Sequence, residues 1–309
     1  MWKKIRRILM IVLAAIFIFC GGTVAVVQHQ YQVAKRLYAD ASSQFTGTDA
    51  VPVSKPAASS SEKTEEDPGP MVSEVWEKDG IFRLKETAPK RVNFDDLLDV
   101  NGDVTGWIYC PGTVIDYPVM HGETNDTYIN TTYDRKWNNA GSIFVSAENA
   151  RNFVDSNTVI YGHHMSSGSM FAILDHWQNG EFWSEHPEMW LMTPTQDYKI
   201  ELFSAYNTSA YDDVYQFINA PAADVLDFLN HVKSLSAVAV NMDLDPYAHY
   251  VMLSTCAYVF QDARSVIHGK LVPVSSIAGV PVDEIPVKQM MQTAAKMTQP
   301  PAEATTPSA

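Results

Sequence analysis

The chain predicts a mostly β fold: a closed or nearly closed barrel of short antiparallel strands, with an N-terminal helix, one amphipathic helix inserted between late strands, and one transmembrane helix in front. Three observations carry this reading. Eight short apolar and β-branched runs, bounded by turn residues, recur through the middle of the chain. A single stretch, residues 222–235, has the 3.6-residue period instead. Residues 8–27 form an uncharged stretch of 20 residues, long enough at about 1.5 Å per residue to cross a bilayer.

In chain order, Lys3, Lys4, Arg6 and Arg7 make residues 1–7 a basic end that is expected to stay in the cytoplasm, which exports the remainder. The apolar run 8–27 fits a retained signal anchor. A cleavable signal peptide is the rival reading, because Thr23, Val24 and Ala25 resemble a small-residue cleavage site. Cys20 lies inside this run, after bulky Phe17, Ile18 and Phe19 rather than a lipoprotein box. Residues 28–85 are assigned to a stalk or linker: the first part, to Phe45, is compatible with helix, and residues 50–70 are rich in Pro, Ser, Ala, Lys and Glu, too polar to bury a core.

The folded domain is expected over residues 86–282, about 190 residues. Asn93 is a plausible N-cap: Asp95 and Asp96 follow in the first turn, while Phe94, Leu97 and Leu98 share a face. Strands are expected at 106–109, 114–120, 141–145, 157–161, 190–192, 198–205, 249–254 and 265–273. In the helix at 222–235, Val225, Leu226, Phe228, Leu229 and Val232 oppose Asp224, Asp227, Asn230 and Lys233, so one face should pack on the barrel. Residues 283–309 fade into Gln, Ala, Thr and Pro and are expected to form a disordered tail.

The composition excludes some roles. A net charge of −14, with no Lys/Arg stripe after the first few residues, argues against a nucleic-acid partner. Three cysteines, one of them in the apolar run, cannot build a disulfide framework and leave at most one possible pair, so at least one thiol of the folded domain is expected to be free.

That thiol suggests chemistry. Cys256 follows the apolar run Tyr250, Val251, Met252, Leu253, and Arg264 opens the next run eight residues later. If the two runs pair as neighbouring strands, Arg264 returns alongside Cys256, where a guanidinium favours the thiolate and can donate to a developing oxyanion. The bland alternatives are a small buried hydrophobe for Cys256 and a surface ion pair for Arg264. His163 follows a β-branched run and Gly162, which sets it on a strand-end loop and makes it the best candidate among the histidines for the proton partner. Ser254 shares a strand face with Cys256 and is either a substrate contact or a turn-stabilising hydroxyl; Thr255 is a second candidate contact. Cys110 is read as a packing residue. Adjacent His163 and His164 lack the companion ligands of a metal site, so no metal and no cofactor is assigned.

Together these residues resemble the sortase family, and within it class B. Leu253, Ser254, Thr255 and Cys256 resemble the family's Thr-Leu-x-Thr-Cys signature, with Met252 where the signature has Thr. Tyr161, Gly162 and His163, followed by Met165, the segment 168–171 and His186–Pro187, resemble the class B histidine region. Segments 106–108, 111–113, 117–119 and 141–144 match those expected upstream, and the agreement runs in order from about Phe94 to Pro273.

The resemblance implies a closed sortase-type barrel with Cys256 as nucleophile, His163 as general acid/base and Arg264 as oxyanion stabiliser. It further implies a membrane-anchored, extracellular cysteine transpeptidase. Such an enzyme cleaves a C-terminal sorting motif of exported proteins and joins the acyl-Thr, through a thioacyl enzyme, to an amine of peptidoglycan or of a pilin Lys. A catalytically idle module that binds surface proteins or cell-wall peptide, or another exported cysteine peptidase or acyl-transferase, are the competing readings; the Ser-His-Gly-Cys signature of L,D-transpeptidases is absent.

Overall fold

The computed structural model describes residues 2–47, 77–78, 81–82 and 88–274; the expected tail 283–309 and the Pro-rich stretch 50–70 lie outside these residues. Eight strands close a barrel: β1 (Val104–Tyr109), β2 (Asp116–His121), β3 (Ile143–Val145), β4 (Asn157–Tyr161), β5 (Glu188–Met192), β6 (Asp197–Ser209), β7 (Tyr250–Cys256) and β8 (Ala263–Val274). Their order around the barrel is β6, β8, β7, β4, β3, β2, β1, β5 and back to β6. Each matches one of the eight expected runs, with ends that move by a few residues.

The expectation of an antiparallel barrel needs correction. Two neighbours run parallel: β2 with β3, where Val119 faces Ile143, and β4 with β7, where Ser254 faces Tyr161. Parallel neighbours require a long crossover, and the connection from β4 to β7 contains β5, β6 and two α-helices.

The helices follow from their caps and stripes. In α2 (Phe94–Val100) the Asn93 side chain accepts from the Asp96 N–H at 3.2 Å, and Phe94 and Leu97 are buried. In α4 (Ala222–Ser234) Val225, Leu229 and Val232 are buried against the outer barrel wall of Phe203, Tyr250, Met252 and Val266, and Phe228 stacks on Phe217 at 4.0 Å. A short 3₁₀ turn (Leu174–Gln178) leads into α3 (Gly180–Glu185), whose N-cap is Asn179. Neither was expected, because five or six residues are too few to display a helical period. Along β7 the side chains alternate: Val251 and Leu253 join the barrel core, while Tyr250 and Met252 face α4.

The assignment of residues 28–85 to a stalk differs from the structure at its first end. Helix α1 (Trp2–Phe45) continues past the apolar run, and Ala34, Tyr38, Ala41 and Phe45 form a buried stripe against the barrel. Tyr38 Oη donates to the Gly141 carbonyl, and Ser42 Oγ to Asp116 at 2.6 Å. Asp116 also accepts from Trp107 Nε1 at 2.8 Å and pairs with Lys90 at 2.5 Å. Thr46 and Gly47 then pair with Val92 and Arg91, so the two ends of segment 48–90 are held side by side and that segment adds no reach between α1 and the barrel.

Candidate active site

Strand pairing assembles the site. Because β4 and β7 are parallel, their C-terminal ends leave the barrel at the same rim. Strand β7 ends at Cys256, the chain turns through residues 257–262, and β8 returns antiparallel with Arg264 as the register partner of Cys256. On the other side of β7, the Gly162 N–H donates to the Ser254 carbonyl at 3.1 Å and extends the pairing by one residue. His163 follows it directly.

Gly162 is required there by space. A Cβ at this position would lie 2.5 Å from Ile143 Cδ1 and 2.7 Å from the Phe171 ring. The His163 carbonyl accepts from the Phe171 N–H at 3.0 Å, which fixes the backbone from the far side.

The His163 ring has a defined tautomer. Its Nε2 lies 2.7 Å from the Ile129 carbonyl oxygen, which can only accept, so Nε2 carries a proton and Nδ1 is the nitrogen left to gain or lose one.

Cys256, His163 and Arg264 line one cavity of about 170 Å³, together with Ser254 and Thr255. Phe144 and Tyr161 form its aromatic wall, with ring centroids 5.5 Å apart. Arg264 also reaches outward electrostatically: burial raises the phenols of Tyr161 and Tyr215, and the nearby guanidinium opposes that rise at both.

The two candidate contact residues differ. Ser254 is buried, and its hydroxyl is already paired with Tyr215 Oη at 2.8 Å. Thr255 is buried as well, but its hydroxyl has no partner among the described residues.

Neighbouring groups that share the chemistry of the site are turned elsewhere. His164 points its Nε2 toward Asp175 at 3.8 Å, sets its ring edge-on to Tyr258 and does not line the cavity. Cys110 is fully buried with its Sγ 3.7 Å from the Glu188 carbonyl, and burial pushes its thiol up to about 12. Cys20 is on the apolar part of α1. His268 is buried beneath α4, where its Nε2 meets Tyr206 Oη at 3.1 Å.

The Sortase domain family model matches residues 108–272, more than half of the chain. The chain belongs to the sortase family. Sortase B of Listeria monocytogenes is 35% identical over 197 residues, covering 61% of this chain and 80% of that relative. Sortase B of Staphylococcus aureus is 31% identical over 203 residues, covering 65% and 83%. The solved structure of a Staphylococcus aureus sortase B–substrate complex superposes with a TM-score of 0.56 at 30% identity, over 59% of this chain and 85% of that one. Class B is therefore its place in the family, and as a sortase it is a cysteine transpeptidase of cell-wall sorting. Its one N-terminal apolar helix is of the length and composition of a membrane anchor or signal sequence.

Two partners in this sortase's site escaped the sequence. The Ile129 carbonyl that holds His163 is a backbone atom and leaves no residue-type signal. Tyr215, partner of Ser254, sits 39 residues away in sequence in a short 3₁₀ turn, where no local pattern connects the two. The departure at Met252 has a packing reason: the side chain is fully buried among Phe203, Tyr250 and Val266, a setting that suits a thioether.

Proposed function

We propose that Cys256 is the nucleophile, His163 the general acid/base and Arg264 the oxyanion stabiliser of a two-step acyl transfer. The observation that supports this most directly is the pairing of Cys256 with Arg264 across β7 and β8, in a cavity whose other wall carries His163. The thiol gives its proton to His163 Nδ1, and the thiolate adds to the carbonyl carbon of a Thr within a sorting motif. The oxyanion that forms accepts from the Arg264 guanidinium. Collapse expels the amine of the next residue, which takes the proton from Nδ1 and leaves a thioester on Cys256. An acceptor amine then attacks that thioester, gives its proton to Nδ1 and releases the thiolate. Nε2 keeps its proton on the Ile129 carbonyl throughout, so the ring stays in one orientation while Nδ1 cycles.

The substrates in this reading are exported proteins with a C-terminal sorting signal, and the acceptor is an amine of peptidoglycan or a pilin Lys. Residues 8–27 cross the membrane once with residues 1–7 inside, and the catalytic domain lies outside. Cys256→Ala is expected to abolish cleavage of a fluorogenic sorting peptide and transfer to an added amine, read by mass spectrometry, with an unchanged unfolding midpoint. Turnover retained by that variant would overturn the assignment. Labelling of Cys256 by a thiol probe that no sorting peptide blocks would favour an idle binding module instead.

A further inference from the structure

We propose that the hairpin carrying Trp137 rests on the lipid headgroup layer of the membrane that α1 crosses, with the Trp137 indole as its contact. The inference rests on the proposed reading of α1 as a membrane span. The apolar run ends at Val27. Three residues later the Gln30 carbonyl accepts from Asn138 Nδ2 at 3.3 Å, which ties the barrel to α1 at that level. Three residues of helix advance about 4.5 Å. The headgroup layer on each side of the hydrocarbon core is about 5–7 Å thick, so Gln30 and the hairpin beside it fall within it.

The hairpin is built to hold a side chain there. Thr131 bridges to Trp137, the Thr132 N–H donates to the Lys136 carbonyl at 2.8 Å, and the Arg135 N–H donates to the Thr132 carbonyl at 2.9 Å. Arg135 takes a left-handed φ of 63° at the tip, and its guanidinium is anchored on Asn101 Oδ1 at 2.8 and 3.1 Å. Asn138, next to Trp137, is buried and also donates through its backbone N–H to Asn130 at 2.9 Å.

Trp137 itself is 64% exposed, whereas Trp107, Trp177, Trp183 and Trp190 are all buried. An indole left in water on a rigid turn, at the height of the headgroups, has the amphipathic character that concentrates Trp at membrane interfaces. The adjacent charges do not carry the contact. Lys136 is paired with Asp134 at 2.7 Å, and Arg135 lies within 3.4 Å of Asp103, so the attraction should not depend on anionic lipid. The same loop supplies the Ile129 carbonyl that holds His163, which would bring the catalytic cavity close to the lipid surface and suit a membrane-retained substrate.

The test uses the full chain reconstituted in phosphatidylcholine vesicles, with lipids brominated near the headgroup end of their acyl chains as quenchers of Trp fluorescence. Trp137→Phe isolates the hairpin indole by difference, and Val24→Trp, at an exposed position inside the apolar run, supplies the insertion control. Bromolipid quenching is expected to be lost from the Trp137 contribution in Trp137→Phe, to be gained in Val24→Trp, and to be unchanged by added anionic lipid. If the indole of Val24→Trp is quenched and the Trp137 contribution is not, the helix is inserted and the hairpin proposal is overturned alone. If neither is quenched, the membrane reading of α1 fails and takes the proposal with it. Quenching of Trp137 that appears only with anionic lipid would overturn the indole-based contact.

Discussion

Replacing Gly162 by Ala tests whether the position of His163 is set by packing behind it. The new methyl carbon would stand 2.5 Å from Ile143 Cδ1 and 2.7 Å from Phe171, roughly 0.9 Å inside the 3.4 Å at which ordinary contact begins. Ile143 and Phe171 are both fully buried, so neither can swing away into solvent. The overlap is relieved by displacing the Phe171 ring, the strand end, or both, at a cost of about 1–3 kcal/mol in stability. Because the Phe171 N–H holds the His163 carbonyl, and the Gly162 N–H holds Ser254, either displacement moves His163 relative to Cys256. A shift of about 1 Å in a reacting group costs on the order of 100-fold in rate. Gly162→Ala should therefore lose about 100-fold in kcat/KM for a sorting peptide while the unfolding midpoint falls by several degrees. The decisive readouts are kcat/KM at 20 °C, where the variant is still folded, and denaturant unfolding followed by Trp emission. A variant with near-normal kcat/KM would refute the argument, since His163 would then be insensitive to the wall it is said to lean on.

Three further outcomes follow from the same geometry. Iodoacetamide at pH 8 should modify Cys256 and leave Cys110 untouched in peptide mass mapping, because burial holds the Cys110 thiol protonated up to about 12; equal modification of both would contradict the burial. Arg264→Lys keeps the charge but loses the planar fork, and kcat/KM should drop about 100- to 1,000-fold with little change in unfolding midpoint; full activity would reduce Arg264 to a source of charge. Burial lowers His268 to about 3, so between its unfolded value near 6.5 and about 3 the unfolded chain binds a proton that the native protein does not. That contribution to stability is complete above pH 6.5 and is lost as pH falls, by about 1.4 kcal/mol per pH unit. His268→Gln should flatten urea stability between pH 6 and pH 4, and a variant with the same slope as the parent would refute the assignment.

What was legible in the sequence was whatever is encoded locally. The cap at Asn93 and the stripe Val225, Leu229, Val232 are read within one or two helical turns, and both stand as expected. The strand runs were visible because β-branched and aromatic residues cluster between turns, although β7 and β8 extend further toward the site than expected, to Cys256 and from Ala263. The three residues proposed as catalytic were selected by type and spacing, with the ordered family pattern favouring His163 over His164, and all three line one cavity. What stayed hidden was carried by long-range contacts. The docking stripe Ala34, Tyr38, Ala41 and Phe45 contains two alanines and is weakly apolar, so nothing in it distinguishes a docked helix from an exposed one. The helix partners Gly141, which accepts from Tyr38, and Asp116, which accepts from Ser42, lie 74 or more residues away in sequence.

The parallel pairing of β4 with β7 is the feature on which the site turns, and it runs against the antiparallel arrangement expected from the sequence. In an antiparallel pair the C-terminal ends of neighbouring strands emerge at opposite rims. Five paired residues of β4 span about 17 Å, so an antiparallel β4 would have carried His163 to the far end of the barrel from Cys256. With Tyr250 opposite Asn157 and Ser254 opposite Tyr161, both chains instead run out at one rim, and the antiparallel return of β8 brings Arg264 back to the same edge. An imidazole 93 residues before the thiol and a guanidinium eight residues after it thus share a cavity for different reasons. The guanidinium arrives by a short hairpin that is readable in sequence. The imidazole arrives by a crossover that contains two strands, α3 and α4, and its direction is decided only when the barrel closes.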